Sequence, residues 1–203
     1  MARTKIKFAD GLSRCGWVTD DPLYIAYHDH EWGVPHVDDS RMYEFLLLES
    51  MQAGLSWLTI LKKRENFRRA FAEFNAQRVA RFSEKKFEQL MQDAGIIRNA
   101  AKIRAAINNA RLFLKVQKEF GSFLEYSRLF IKQSARINHW KKLSAVPATT
   151  PESDAFARDL KQRGFKFVGS TVIYAHMQAV GLVNDHTVDC FRHAPVSKLM
   201  RDL

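Results

Sequence analysis

Two cysteines stand in a chain of 203 residues, one near each end, and each has a histidine close by. Cys15 precedes His28 by thirteen positions, and His186 precedes Cys190 by four. Two thiols and two imidazoles are the donor set of one tetrahedral Zn²⁺. If one ion takes all four, the two ends of the chain are clamped together and the middle must carry the function. His186 and Cys190 at i and i+4 share one face of a helix. Cys15 and His28 have an unspecific spacing, and His30, His36 and His193 compete for the histidine places. Buried free thiols are the alternative.

Two distant cysteines favour thiols or thiolate ligands over a disulfide. No apolar run is long enough to cross a bilayer, and the first ten residues lack the apolar stretch of a signal peptide. The expectation is a cytoplasmic, monomeric protein with no membrane partner. A hydrophobic fraction of 46% with 15 phenylalanines excludes a disordered chain and supplies a sizeable core. The net charge of +10 is unevenly placed: residues 61–118 carry fifteen Lys or Arg against five Asp or Glu, and residues 14–51 carry two against eight. A basic half beside an acidic one suits a nucleic-acid partner; solvated helix faces are the plainer reading.

The apolar pattern is helical nearly throughout, so the fold class is all-α. Met42, Phe45 and Leu46 form a stripe behind the cap candidates Asp38, Asp39 and Ser40. Gly54 ends that segment, and Ser56 caps a helix from Trp57 towards Phe74. Ile103, Ile107, Ala110 and Leu114 mark a long amphipathic helix over 99–118. Residues 144–153 read as the one linker. Thr150 and Pro151 then start a helix that stops at Gly164, and a second helix begins near Ser170 and ends before Gly181.

Three further segments carry chemistry. The loop from Gly164 through Lys166 to Gly169, bracketed by two helices, can turn successive N–H groups and a helix N-terminus on a phosphate, with Lys161, Arg163 and Lys166 adding charge; an ordinary helix–helix turn fits the same spacing. Glu49 falls on the stripe of Met42, Phe45 and Leu46, where a carboxylate is costly unless it is paired or functional. Trp17, Tyr24, Tyr27, Trp32 and Trp57 all precede residue 58. Rings at this density around an inward carboxylate describe a pocket for a nucleobase, although each ring alone reads as core.

With these residues assembled, the sequence resembles the 3-methyladenine DNA glycosylase I (Tag-type) family. The resemblance is carried by Arg14-Cys-Gly-Trp-Val18, Asp21-Pro-Leu-Tyr-Ile-Ala-Tyr-His-Asp29, Glu31-Trp-Gly-Val-Pro35, Gln52-Ala-Gly-Leu-Ser-Trp57, Leu61-Lys-Lys-Arg-Glu-Asn66, Asp93-Ala-Gly-Ile-Ile-Arg98, Lys161-Gln-Arg-Gly-Phe-Lys-Phe-Val-Gly169 and Met177-Gln-Ala-Val-Gly-Leu-Val-Asn-Asp-His186. It implies a two-lobed helix–hairpin–helix glycosylase fold over residues 14–190, with 1–13 as an N-terminal extension and 191–203 as a tail. It implies a structural zinc on Cys15, His28, His186 and Cys190, joining the two ends, and a pocket glutamate at Glu49. Pocket aromatics fall on Tyr24, Tyr27 and Trp57, with Trp32 nearby, and the phosphate-gripping hairpin falls on 164–169.

Two departures stand out. Ser50-Met51-Gln52 follows the glutamate where the family commonly has Gly-Gln-Gln. Broader helix–hairpin–helix glycosylases carry a catalytic aspartate where this chain has Asn184. The implied chemistry is hydrolysis of the N-glycosidic bond of 3-methyladenine in double-stranded alkylated DNA, releasing the free base and leaving an abasic site. An ionised Glu49 would accept hydrogen bonds from the exocyclic amine and ring N–H edge of the lesion. The rival reading is a non-catalytic, zinc-stabilised nucleic-acid-binding protein.

Overall fold

Helices begin where the sequence supplies a side-chain cap. Asp21 accepts from the Leu23 N–H ahead of α1 (Pro22–His30), Asp38 from Arg41 ahead of α2 (Asp39–Gln52), and Ser56 from Thr59 ahead of α3 (Trp57–Ala70). Each satisfies one of the N–H groups that a helix start leaves unpaired. The computed structural model describes residues 8–132 and 134–202. Two short helices, α4 (Ala76–Val79) and α5 (Glu84–Gln92), lead to α6 (Ala100–Phe120), capped by Asn99, and then to α7 (Phe123–Arg128). Next come α8 (Pro151–Gln162), α9 (Ser170–Ala179) and α10 (His193–Arg201). Thr150 and Ser153 form a reciprocal capping box at the start of α8.

Expectation and structure differ in four places. The helix from Trp57 stops at Ala70 rather than running towards Phe74, because Ala72, Glu73 and Phe74 take φ of 52, 59 and 55°. Three successive left-handed residues end a right-handed helix, and the strain is offset by burial of the Phe71 and Phe74 rings. Two residues per strand break the all-helical pattern: β1 (Arg136–Ile137) pairs in parallel with β2 (Val183–Asn184). Residues 186–190 form a turn, closed by the Cys190 N–H donating to Thr187 O, so the i, i+4 spacing of His186 and Cys190 is not read from a helix face. The segment expected as a tail contains α10, whose Val196 and Met200 are buried; Leu203 and residues 1–7 of the expected extension lie outside the described residues.

The organising element is α2, which packs against α3, α6, α7 and α9 and is buried from Met42 to Met51 on every face. Its apolar stripe is therefore only part of its buried surface. Helices α8 and α9 pack on each other as a hairpin, α4 and α5 lie on α6, and α10 covers β2. No helix among the described residues is long and apolar enough to cross a membrane.

After α9 the chain turns at Gly181 against the segment that follows α1. Gly181 has φ of +75°, and a Cβ there would stand 2.4 Å from both the N and Cα of Pro35. Backbone meets backbone, so no side chain can give way. Gly181→Ala should cost about 3 kcal/mol or more, combining left-handed strain with an overlap that must push the segments apart. Chemical denaturation reads this directly; a loss below about 0.5 kcal/mol would show that the crossing is looser than this.

Candidate active site

A cavity of about 300 Å³ opens between the N-terminal helices and α9. One wall is the ring cluster anticipated from sequence: Trp17, Tyr24, Tyr27, Trp32 and Trp57 all line it, together with Glu49. Trp17 holds the cluster together, with ring centroids 5.0 Å from both Tyr24 and Trp32, and Tyr27 lies 5.4 Å from Trp57. The Trp57 indole N–H is buried with no partner among the described residues, a donor facing no acceptor. Burial, and then the charge of Glu49, hold the Tyr27 hydroxyl well above its ordinary pKa, so it stays neutral.

Glu49 is 4% exposed, and among the described residues no hydrogen bond or ion pair engages its carboxyl. Burial pushes that carboxyl up to about 8. At neutral pH the group on its own is chiefly the neutral acid, and not the anion that sequence alone suggested. The same helix supplies the contrast. Glu44, 2% exposed, accepts from Arg41, Arg64 and Arg68 at 2.8 to 2.9 Å and is held below its ordinary value despite its burial. The salt-bridge alternative is thus realised at Glu44, not at Glu49. Lys102 closes the end of α2 beside the cavity, its ammonium donating to Met51 O and Ala53 O at 2.8 and 2.6 Å.

Behind the rings, Cys15, His28, His186 and Cys190 come together with all four donor atoms within 4.8 Å of one another, and all four residues are buried. Ligands about 2.0–2.3 Å from one tetrahedral ion stand roughly 3.3–3.8 Å apart, and the sulfur–nitrogen separations of 3.4 and 3.5 Å match this. His28 is held by Asp29 at its Nδ1 (2.7 Å), leaving Nε2 3.4 Å from the Cys190 sulfur. His186 is held by Trp32 O at its Nε2 (3.0 Å), leaving Nδ1 3.5 and 3.4 Å from Cys15 and Cys190. Arg14, 3% exposed, forks onto Asp29 and so fixes the first imidazole from behind. The hydrogen bond between the two thiols, and then burial, push Cys15 up, while the same bond pulls Cys190 down. Deprotonating the second thiol as well would require a cation between the two sulfurs. His30, His36 and His193 are not part of this group.

The hairpin between α8 and α9 is present, with altered detail. Gly164 has φ of +97°, as expected, but the second left-handed residue is Phe167 at +56°, and Gly169 has φ of −63°. The missing side chain at Gly169 leaves open space rather than a special backbone angle: a Cβ there would meet nothing within 4 Å. The Lys166 N–H already donates to Asn109 Oδ1, and its carbonyl accepts from Asn109 Nδ2. The N–H groups of Phe167, Val168 and Gly169 have no such partner among the described residues. Arg163 is spent on Glu119 and Asp159; Lys161 and Lys166 remain exposed.

The far wall was not foreseen. Val146, Pro147 and Ala148 line the cavity, so the linker-like stretch 144–153 is part of the site. Tyr174, Gln178 and Asp185 line it too, at distances from Glu49 in sequence that no local periodicity links.

Comparison with known proteins fits this geometry. A family model described as methyladenine glycosylase matches residues 17–193. The chain is 50% identical over 179 residues to DNA-3-methyladenine glycosylase 1 of Escherichia coli (strain K12), covering 88% of this chain and 96% of that protein. It superposes on a crystal structure of 3-methyladenine DNA glycosylase I with a TM-score of 0.87 at 50% identity, over 89% of this chain and 100% of that one. A structure of the Staphylococcus aureus enzyme, solved for the basis of 3-methyladenine recognition, gives 0.86 at 34% identity over 89% and 96%.

The burial of Glu49 has a measurable signature. A carboxyl whose folded pKa is raised stabilises fully below its unfolded value and loses that contribution as pH rises towards the folded one. Glu49→Gln should match the parent near pH 4 and exceed it near pH 8 by several kcal/mol, at about 1.4 kcal/mol per pKa unit. Melting curves across this range check it, and a pH-independent difference would contradict the assignment.

Proposed function

Because the chain belongs to the methyladenine glycosylase family, we infer that it excises 3-methyladenine from alkylated DNA, hydrolysing the N-glycosidic bond and leaving an abasic site. The observation that carries the reading at residue level is Glu49, an uncompensated carboxyl inside a ring-lined cavity. A protein that only grips a polyanion gains nothing from such a group.

Methylation at a ring nitrogen leaves the purine in DNA positively charged and its glycosidic bond weak. Part of the barrier is therefore removed by the damage itself. Extrusion of the nucleotide brings the base among Tyr24, Tyr27, Trp32 and Trp57, and unstacking costs less because the damaged pair is already poor. Glu49 ionises there when the positive charge of the ligand offsets its burial, and then accepts from the exocyclic amine. Neutral adenine offsets that ionisation poorly and is disfavoured. Water attacks the anomeric carbon. No lysine lines the cavity among the described residues, so the reading is a monofunctional glycosylase without a Schiff base.

The hairpin amides at 167–169, with exposed Lys166 and the α9 N-terminus, grip a phosphate of the duplex without reading sequence. The buried cysteine and histidine pairs hold one zinc ion. Their donor chemistry and spacing fit it, and bound zinc supplies structure, fastening residues near both ends of the chain around the pocket.

Two measurements test this reading. Glu49→Gln should fold, keep its metal and lose at least about a hundredfold in the rate of 3-methyladenine release from methylated DNA, within the range set by single electrostatic groups; undiminished release would remove Glu49 from the mechanism. Cys190→Ser should lose bound zinc by native mass spectrometry and melt at lower temperature. A full zinc equivalent in that variant would break the ligand assignment.

A further inference from the structure

Glu49 shares the cavity with a second buried carboxyl, Asp185, which is 2% exposed and set in the opposite environment. Oδ1 of Asp185 accepts from Asn138 Nδ2 at 2.8 Å and from Trp140 Nε1 at 2.6 Å. Oδ2 accepts from the Tyr174 hydroxyl at 2.5 Å and from Gln178 Nε2 at 2.6 Å. A carboxylate offers about four acceptor positions, and indole and amide nitrogens can only donate. All four positions are filled, so this group has no free lone pair with which to take a proton from water. It is a negative charge fixed in place by donors from two separate segments, the 138–140 loop and α9.

Asn184 throws this into relief. The resemblance places a catalytic aspartate of broader helix–hairpin–helix glycosylases at that position. Here the Asn184 amide donates to His193 O and Ser197 Oγ, turned towards α10. The carboxylate on the cavity wall comes from the next residue.

Where two carboxyl groups of one site are held in opposed surroundings, their tasks are divided. Resting on the functional reading above, we propose that Asp185 is the fixed anion that stabilises positive charge on the deoxyribose during bond cleavage, while Glu49 serves the base. The placement follows from the chain. A phosphate gripped by residues 167–169 lies at the start of α9, and the base lies among the rings of the N-terminal wall. The sugar between them faces the α9 side, where Tyr174 stands about 6 Å along the helix from Ser170. In the step itself the C1′–N9 bond breaks and its electron pair goes to the purine, which leaves neutral. The positive charge passes to the sugar, water adds to C1′, and a proton is released to solvent. A preorganised charge needs no rearrangement to meet the cation.

The test uses the intact, metal-loaded protein and duplexes that carry, at one site, either a pyrrolidine, which mimics the cationic sugar, or a neutral tetrahydrofuran. The parent protein should bind the pyrrolidine duplex at least about tenfold more tightly. Asp185→Asn should abolish that preference and slow single-turnover release of 3-methyladenine on the order of a hundredfold. Free 3-methyladenine should still bind to within about twofold, which a merely structural role for the hydrogen-bond hub would not permit. The same preference in both proteins, or undiminished release by the variant, overturns the proposal. Should Asp185→Asn not fold, the parent alone decides, because equal binding of the two duplexes overturns it. A parent that releases no 3-methyladenine defeats the functional reading instead, whereas release without a pyrrolidine preference defeats only this proposal.

Discussion

A carboxyl group held inside a protein without a cation or a donor is the constraint around which this molecule is arranged. Glu49 occupies that position because α2 is surrounded: α3, α6, α7 and α9 leave no face of its second half in water. The contrast with Glu44, five residues earlier on the same helix, shows that the fold is able to neutralise a buried glutamate when it needs to. Three arginines do so there. At Glu49 the neighbours are rings and open cavity, and burial is answered by protonation instead of by a cation.

Keeping such a cavity closed requires its walls to be tied together from distant parts of the sequence. The cysteine and histidine group joins residues 15 and 28 to residues 186 and 190. Arg14 and Asp29 brace one imidazole, and the backbone of Trp32, itself a wall residue, braces the other. Asp185 sits beside that junction and draws the 138–140 loop and α9 together. Structural closure and the electrostatics of the far wall thus rest on adjacent residues, which couples the integrity of the cysteine and histidine group to the shape of the site.

Helix starts at Asp38, Ser56 and Thr150 were legible because a cap is a contact between residues two or three apart. Glu49 was legible for a related reason: helical periodicity puts it beside apolar residues whatever the rest of the chain does. The left-handed run at 72–74 carried no such signal, since alanine, glutamate and phenylalanine do not favour that conformation and only burial of the neighbouring rings holds them in it. Residues 144–153 misled in the opposite way. Proline, serine and threonine read as linker, yet Val146 and Pro147 form cavity wall because the chain must pass over the site to reach α8.

The sequence by itself determined the helical class, the two cysteine–histidine pairs, the ring cluster and the inward glutamate, because each depends on residue type and short spacing. Tertiary structure decided which charges are free to act. Burial changed the protonation of Glu49, Asn109 took the Lys166 amide, Glu119 and Asp159 took Arg163, and four donors converged on Asp185. Those outcomes turn on solvent exclusion and on partners such as Asn109, Glu119, Asn138 and Trp140 that lie more than forty residues away, and neither is encoded in a local pattern.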